Sequence, residues 1–180
     1  LALFRSDQGT TMPLRSYATF AAYNAWANAH LYAAARAQGE EACSRSAGAF
    51  FGSVTATLNH LLVGDRIWLS RFEGSAPPAL KLDTILAPRL ADLEPLRVAE
   101  DARIIAFIAA QDAQSLSAEI SYANTSGQTF QQSLASALDH FFNHQTHHRG
   151  QVHALLTSIG GRNAAPSLDL IIFQREQAAA

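Results

Sequence analysis

The stretch QQSLASALDHFFNHQTHHRGQVHALLTSIG, residues 131–160, decides how the rest of the chain is read. Its apolar residues Leu134, Leu138, Phe141, Val152, Leu155 and Ile159 step by 4, 3, 11, 3 and 4, the pattern of one helix face. Gln145 and His148 fill the gap of eleven in register. At about 100° per residue, His148 lies on the apolar stripe and His144 about 40° round from it, one turn back. By the same count His140 and His147 fall about 100° and 120° from the stripe centre, toward its edge. A long amphipathic helix over 131–159, ended by Gly160 and Gly161, therefore turns two imidazoles toward a core.

Three more segments carry the same period. The first helix is expected over 14–38, with Tyr17, Phe20, Asn24, Ala27 and Leu31 on one face and Gly39 as its stop. The second is expected over 50–72, with Val54, Leu58, Leu61, Asp65, Trp68 and Phe72 on a stripe. It ends in GSAPPAL, which cannot continue a helix. DTILAPRLADLEPL reads as a loop with at most one short turn. A third helix over 97–119 buries Ile104, Ile105, Ile108 and Leu116. ISYANTSGQTF, residues 120–130, alternates around a turn signal and reads as a small hairpin or a long loop. The tail SLDLIIFQRE suggests a short fifth helix capped by Ser167. Four long amphipathic helices without a strong strand signal give an all-α fold, a four-helix bundle.

Composition narrows the function classes. The chain has 180 residues, 48% hydrophobic and 16% charged, with a formal net charge of −2. Such a chain builds one folded domain rather than a disordered segment. No apolar run approaches the roughly 20 residues of a membrane span; the longest candidates, such as IIAFIAA from Ile104, are broken sooner. No broad basic footprint invites nucleic acid. No GxGxxG, GxxxxGK or GxSxG occurs, so nucleotide and α/β-hydrolase readings have no local support. Cys43 stands alone, which excludes an internal disulfide and fits a reducing, cytoplasmic setting. Residues 1–11 are read as a disordered extension before Met12, and the domain as residues 12–180. Gly150 in mid-helix is expected to mark a close helix approach. The alanine-rich first helix presents small residues to a second helix, and a homodimer is expected.

Five of the seven histidines fall between 140 and 153. An unpartnered imidazole is costly in a bundle interior, whereas histidines at i, i+4 aim their rings at one point, as in helices that hold zinc. A catalytic metal site usually has three protein ligands and an open position. The third ligand is open among His30, His60 and Asp65 on spacing alone. Asp65 lies on the stripe of the second helix, and His60 lies about 130° from its centre. Asp65 would make a two-His-one-carboxylate centre of charge +1 suited to iron and oxygen. His60 would leave +2 and a stronger Lewis acid. Asn24, on the inner stripe of the first helix, and Asp65 and Arg149 are candidates to support the site from behind the ligands.

YNAWAN (23–28), LNHLLVGDRIWLSRF (58–72), NHQTHHRGQVHALLTSIG (143–160) and PSLDLIIF (166–173), in that order, resemble the DinB family of metal-dependent enzymes. It is distinct from the translesion polymerase that shares its name. The resemblance implies a four-helix bundle with a divalent metal held by three histidines between the second and fourth helices. It selects His60, His144 and His148 as ligands. Zinc or nickel, with iron or cobalt as further options, would act as a Lewis acid. Thiol transferases and a thiol-dependent isomerase of the same superfamily bind a low-molecular-weight thiol at the metal. The resemblance thus implies a cytoplasmic enzyme that activates a thiol or water for transfer to a small electrophilic substrate. A metal-dependent hydrolase and a non-enzymatic metal-binding stress protein are the alternatives. No Glu or Asp beside the helical pair offers itself as a hydrolase's general base.

Overall fold

A computed structural model of the chain describes residues 17–124 and 126–179. It is mostly helical, with one small antiparallel sheet. The elements in order are α1 (Tyr17–Gln38), α2 (Glu40–Ser44), α3 (Val54–Phe72), α4 (Leu90–Ala109), α5 (Ala113–Ser117), β1 (Glu119–Ala123), β2 (Thr129–Ser133), α6 (Leu134–Gly160) and α7 (Leu170–Ala179). The four long helices each touch two others: α1 packs on α4 and α6, and α3 packs on α6 and α4. The sequence expectation for residues 1–11 lies outside the described residues.

Local chemistry sets most boundaries. Ser53 caps α3 by accepting a hydrogen bond from the Ala56 amide at 3.1 Å, and Ser133 caps α6 through the Ser136 amide at 3.2 Å. The second helix therefore begins at Val54 rather than at 50, and residues 131–133 belong to β2 rather than to the fourth helix. Gly39, at φ 87°, ends α1 and starts α2 at once.

The third long helix departs most from expectation. It starts at Leu90, not 97, and runs through Pro95. Arg89 gives it no side-chain cap. Instead Glu40, from α2, accepts hydrogen bonds from the Leu90 and Ala91 amides at 2.8 and 3.1 Å. A carboxylate at that helix start is doubly favourable, for its acceptors and for its charge. The helix ends at Ala109, not 119, because Asp112 and Ser115 form a capping box that starts α5. The alternating stretch is a true hairpin, Glu119 opposite Ser133 and Ala123 opposite Thr129. Ser167 does not cap α7. It donates to Asp169 Oδ2 at 3.2 Å, and the helix begins at Leu170.

The apolar core is a bundle of buried leucines and aromatics. Leu58, Leu61 and Leu62 of α3 meet Leu90, Leu93, Val152 and Leu156 in one cluster. Leu69, Phe72, Leu138 and Phe141 gather in another beneath the hairpin. Each such side chain contributes roughly 1.5–3 kcal/mol on burial. Between the clusters α3 and α6 lie against each other, and there the histidines sit. Gly150 is open: a Cβ there meets nothing within 4 Å among the described residues, so it marks no close approach. Close approaches occur instead at Gly160, against Gln38 and Ala164, and at Gly64, beneath His144.

Candidate metal centre

Helix α3 carries His60, and α6 carries His144 and His148 one turn apart. Their Nε2 atoms converge, with His60 3.3 Å from His144 and 3.2 Å from His148. One ring nitrogen from each of the three lies within 4.8 Å of the other two, a grouping able to hold a metal ion. His60 and His148 are buried, and His144 is half-buried.

The tautomers decide what this convergence means. His60 Nδ1 donates to the Leu82 carbonyl oxygen at 2.8 Å, an atom that can only accept. His148 Nδ1 donates to Gln151 Oε1 at 2.8 Å. The Gln151 amide is oriented by its own Nε2, which lies 3.2 Å from His147 Nε2. His60 therefore carries its proton on Nδ1, as does His148 with Gln151 Oε1 as its acceptor, and with that amide orientation their bare Nε2 lone pairs face each other at 3.2 Å. Two lone pairs repel at that distance unless a cation lies between them. The donor set fits a divalent ion, and the Nδ1 bonds are those that metal-ligating histidines make behind the metal.

Electrostatics agree with neutral rings. Burial pushes the pKa of His60 and of His148 down. His144 is pushed down to about 3, first by burial and then by the neighbouring imidazoles. Neutral imidazole is the form that binds metal. His144 Nδ1 is buried and has no hydrogen-bond partner among the described residues.

Neighbouring residues hold the trio in place. A Cβ at Gly64 would stand 3.1 Å from His144 Cε1, so the glycine leaves the space that the ring fills. Phe51 stacks on His60, ring centroids 3.8 Å apart, and meets His148 edge-on at 5.6 Å. Asn59, fully buried beside His60, accepts from the Leu86 and Ala87 amides at 2.7 and 3.0 Å and donates to Ala87 O at 2.9 Å. That ties down the loop whose Leu82 carbonyl orients His60. Gly64, Phe51, Asn59, Leu82 and Gln151 were not singled out for this site from sequence. Only the pairing of Asn59 with His60 in LNHLL offered a signal.

The other candidates lie elsewhere. His30 donates from Nδ1 to the Trp26 carbonyl at 2.8 Å and packs on the Trp26 ring. Asp65 points away from the histidines and takes Arg97 at 2.5 Å, both essentially inaccessible. Burial raises the Asp65 carboxyl to about 7 against the pull of that guanidinium. Arg97 also reaches Asp101 at 3.1 Å, and Asp101 accepts from Asn24 at 3.1 Å and Asn28 at 3.0 Å. Arg149 donates to Asn24 Oδ1. Asn24, Asp65 and Arg149 thus belong to one buried polar network spanning α1, α3, α4 and α6. The hydrogen-bond partners of the converging imidazoles are Leu82 and Gln151 rather than these three. No helix among the described residues is long and apolar enough to cross a membrane.

The profile described as the DinB family matches residues 10–177. The chain is 27% identical over 157 residues to "Protein DinB" of Bacillus subtilis (strain 168), covering 84% of this chain and 90% of that protein. No solved structure matches it significantly.

Proposed function

The chain belongs to the DinB family, and from that premise we propose that it is a divalent-metal enzyme whose ion is held by His60, His144 and His148. The observation that carries the reading is the pair of Nε2 lone pairs, on His60 and His148, facing each other at 3.2 Å with both Nδ1 protons committed elsewhere. The four long helices are read as one four-helix bundle with the centre between α3 and α6.

Three neutral imidazole nitrogens suit zinc, with nickel, iron or cobalt as further ions that the same donor set takes. Three protein ligands leave one position for a substrate atom.

Bound there, the ion supplies Lewis-acid chemistry: it lowers the pKa of a water or thiol and polarises a carbonyl. The chain's residues set the strength of that effect. All three ligands are neutral, so the centre keeps a charge of +2 and attracts an anionic sulfur or oxygen. The Nδ1 partners are a carbonyl and a carboxamide rather than carboxylates, so they orient His60 and His148 without feeding negative charge into the rings. Phe51 covers one face of His60 and keeps water from that side.

Among the described residues no Asp or Glu hydrogen-bonds to the three imidazoles, which supports thiol over water as the activated group. A thiol, with an ordinary pKa near 8.5, needs far less help to ionise than water. We assign the protein to transfer of a low-molecular-weight thiol onto a small electrophile, in the cytoplasm. A homodimer is part of the reading. The alanine-rich α1 with the exposed Val98 and Ile105 of α4 is the face proposed for it. The test is to incubate zinc-loaded protein with bacillithiol, mycothiol or glutathione and a panel of electrophiles. Metal-dependent loss of free thiol supports the reading. No turnover with any thiol, together with ester or amide hydrolysis, overturns it in favour of a hydrolase.

A further inference from the structure

The α3 stripe that carries His60 continues through Gly64, Ile67 and Arg71, each within about 40° of it at 100° per residue. Beyond Gly64 that stripe borders a solvent-open cavity of about 490 Å³, whose other walls are residues 77–82 and the end of β1. The size is that of a small-molecule pocket. The loop that walls it is the same one whose Leu82 carbonyl orients His60. The cavity therefore begins about 10 Å along the helix from His60, counting 1.5 Å per residue to Ile67.

Its charge is one-sided. Among the described residues Arg71 and Lys81 are the charged side chains that line it, and no carboxylate does so. Arg71 is built in rather than waving in solvent. Its guanidinium lies 4.6 Å from the Trp68 ring and 4.9 Å from the Tyr122 ring, and Nη2 donates to the Ala123 carbonyl at 3.1 Å. Nε is buried without a hydrogen-bond partner among the described residues. A buried, unpaired donor on a rigidly held cation is costly unless an acceptor arrives. Side chains on a helix lean toward its N-terminus, and Arg71 accordingly lies over Trp68, one turn back.

We propose that this cavity is the subsite for the anionic tail of the substrate, with Arg71 as the counter-ion of a carboxylate-bearing molecule whose reacting end lies at the histidines. Arg71 is a specificity-determining residue; Lys81 adds charge at the rim. The apolar walls given by Ile67, Pro78 and Leu80 take the stem between the two ends. This rests on the metal-centre reading for the far end of the substrate, and on Arg71 and the cavity alone for the near end.

Calorimetry of the zinc-loaded full chain with 6-mercaptohexanoate and its neutral analogue 6-mercaptohexanol separates the two. The acid is expected to bind about 10-fold more tightly, the worth of one charge-assisted hydrogen bond. R71Q should bring acid and alcohol to within about twofold while leaving zinc stoichiometry unchanged, and R71K should keep part of the preference. Because Arg71 also braces the hairpin, Ala79→Trp provides a second variant. It fills the cavity with Arg71 intact and should weaken the acid more than the alcohol. Equal affinity of acid and alcohol for the wild type, or a preference that survives both R71Q and Ala79→Trp, overturns the subsite. If the chain takes up no zinc, the metal centre fails. The subsite is then judged on hexanoate against hexanol by NMR titration of the metal-free protein, where an Arg71-dependent preference supports it and none overturns it.

Discussion

Replacing Gly64 by alanine should move stability and metal affinity in opposite directions. Gly64 lies inside α3, where alanine is favoured over glycine by about 1 kcal/mol through backbone entropy alone. The new Cβ, however, would stand 3.1 Å from His144 Cε1, tighter than ordinary van der Waals contact. The ring must yield by a few tenths of an ångström, because the backbone of a packed helix gives less readily than a side chain. Metal–ligand distances tolerate only about 0.2 Å before coordination suffers. His144 has no hydrogen bond at Nδ1 among the described residues to restore its position. The expected result is an apo protein as stable as wild type or more so, by up to about 1 kcal/mol. Zinc affinity should fall about 10-fold, the scale of a displaced supporting contact. Urea unfolding of the metal-free protein reads the first quantity, and competition with a chromogenic chelator reads the second. Unchanged zinc affinity with a folded variant would refute the claim that His144, seated over Gly64, is a ligand.

Other outcomes follow from the same geometry. H60A should weaken zinc binding by about 10-fold or more. D65N should leave it nearly unchanged while costing about 2 kcal/mol of stability, since Arg97 loses one of its two buried carboxyl partners; equilibrium dialysis and urea unfolding distinguish them, and the reverse pattern would restore Asp65 as ligand. The pKa of His144 is about 3 in the folded chain against an ordinary 6.5, so the unfolded chain binds the extra proton between those values. Stability of the metal-free protein should be fully present above pH 6.5 and fall on acidification toward pH 3, by about 1.4 kcal/mol per pH unit for this one group. A urea midpoint that stays flat from pH 7 to 4.5 would contradict it. For the dimer, sedimentation showing only single chains at micromolar concentration would remove that proposal.

The sequence disclosed the α6 half of the site and obscured the α3 half, for a physical reason. Helix α6 has one buried stripe, so the angular position of His148 and His144 relative to it was meaningful. Helix α3 is buried on nearly every side, with Thr55, Asn59, His60, Val63 and Ile67 buried alongside Leu58 and Leu61. A wheel centred on its leucines then says little about which polar residue faces α6. It turned Asp65 inward correctly, but toward Arg97 rather than toward the histidines. His60 came from the likeness to the DinB family, not from periodicity. The start of α4 escaped because its cap is Glu40, 50 residues away in sequence and invisible to any local window. The same holds for Leu82, whose backbone carbonyl carries no side-chain signal.

The central claim is that His60, His144 and His148 together bind one divalent ion. The direct measurement is metal content by mass spectrometry of protein purified without a nickel column, wild type beside the H144A/H148A double variant, with calorimetry of zinc binding to both. The expected result is about one ion per chain for the wild type and none for the double variant, which loses two of the three ligands a zinc site needs. A folded double variant that binds zinc as tightly as wild type would contradict the assignment.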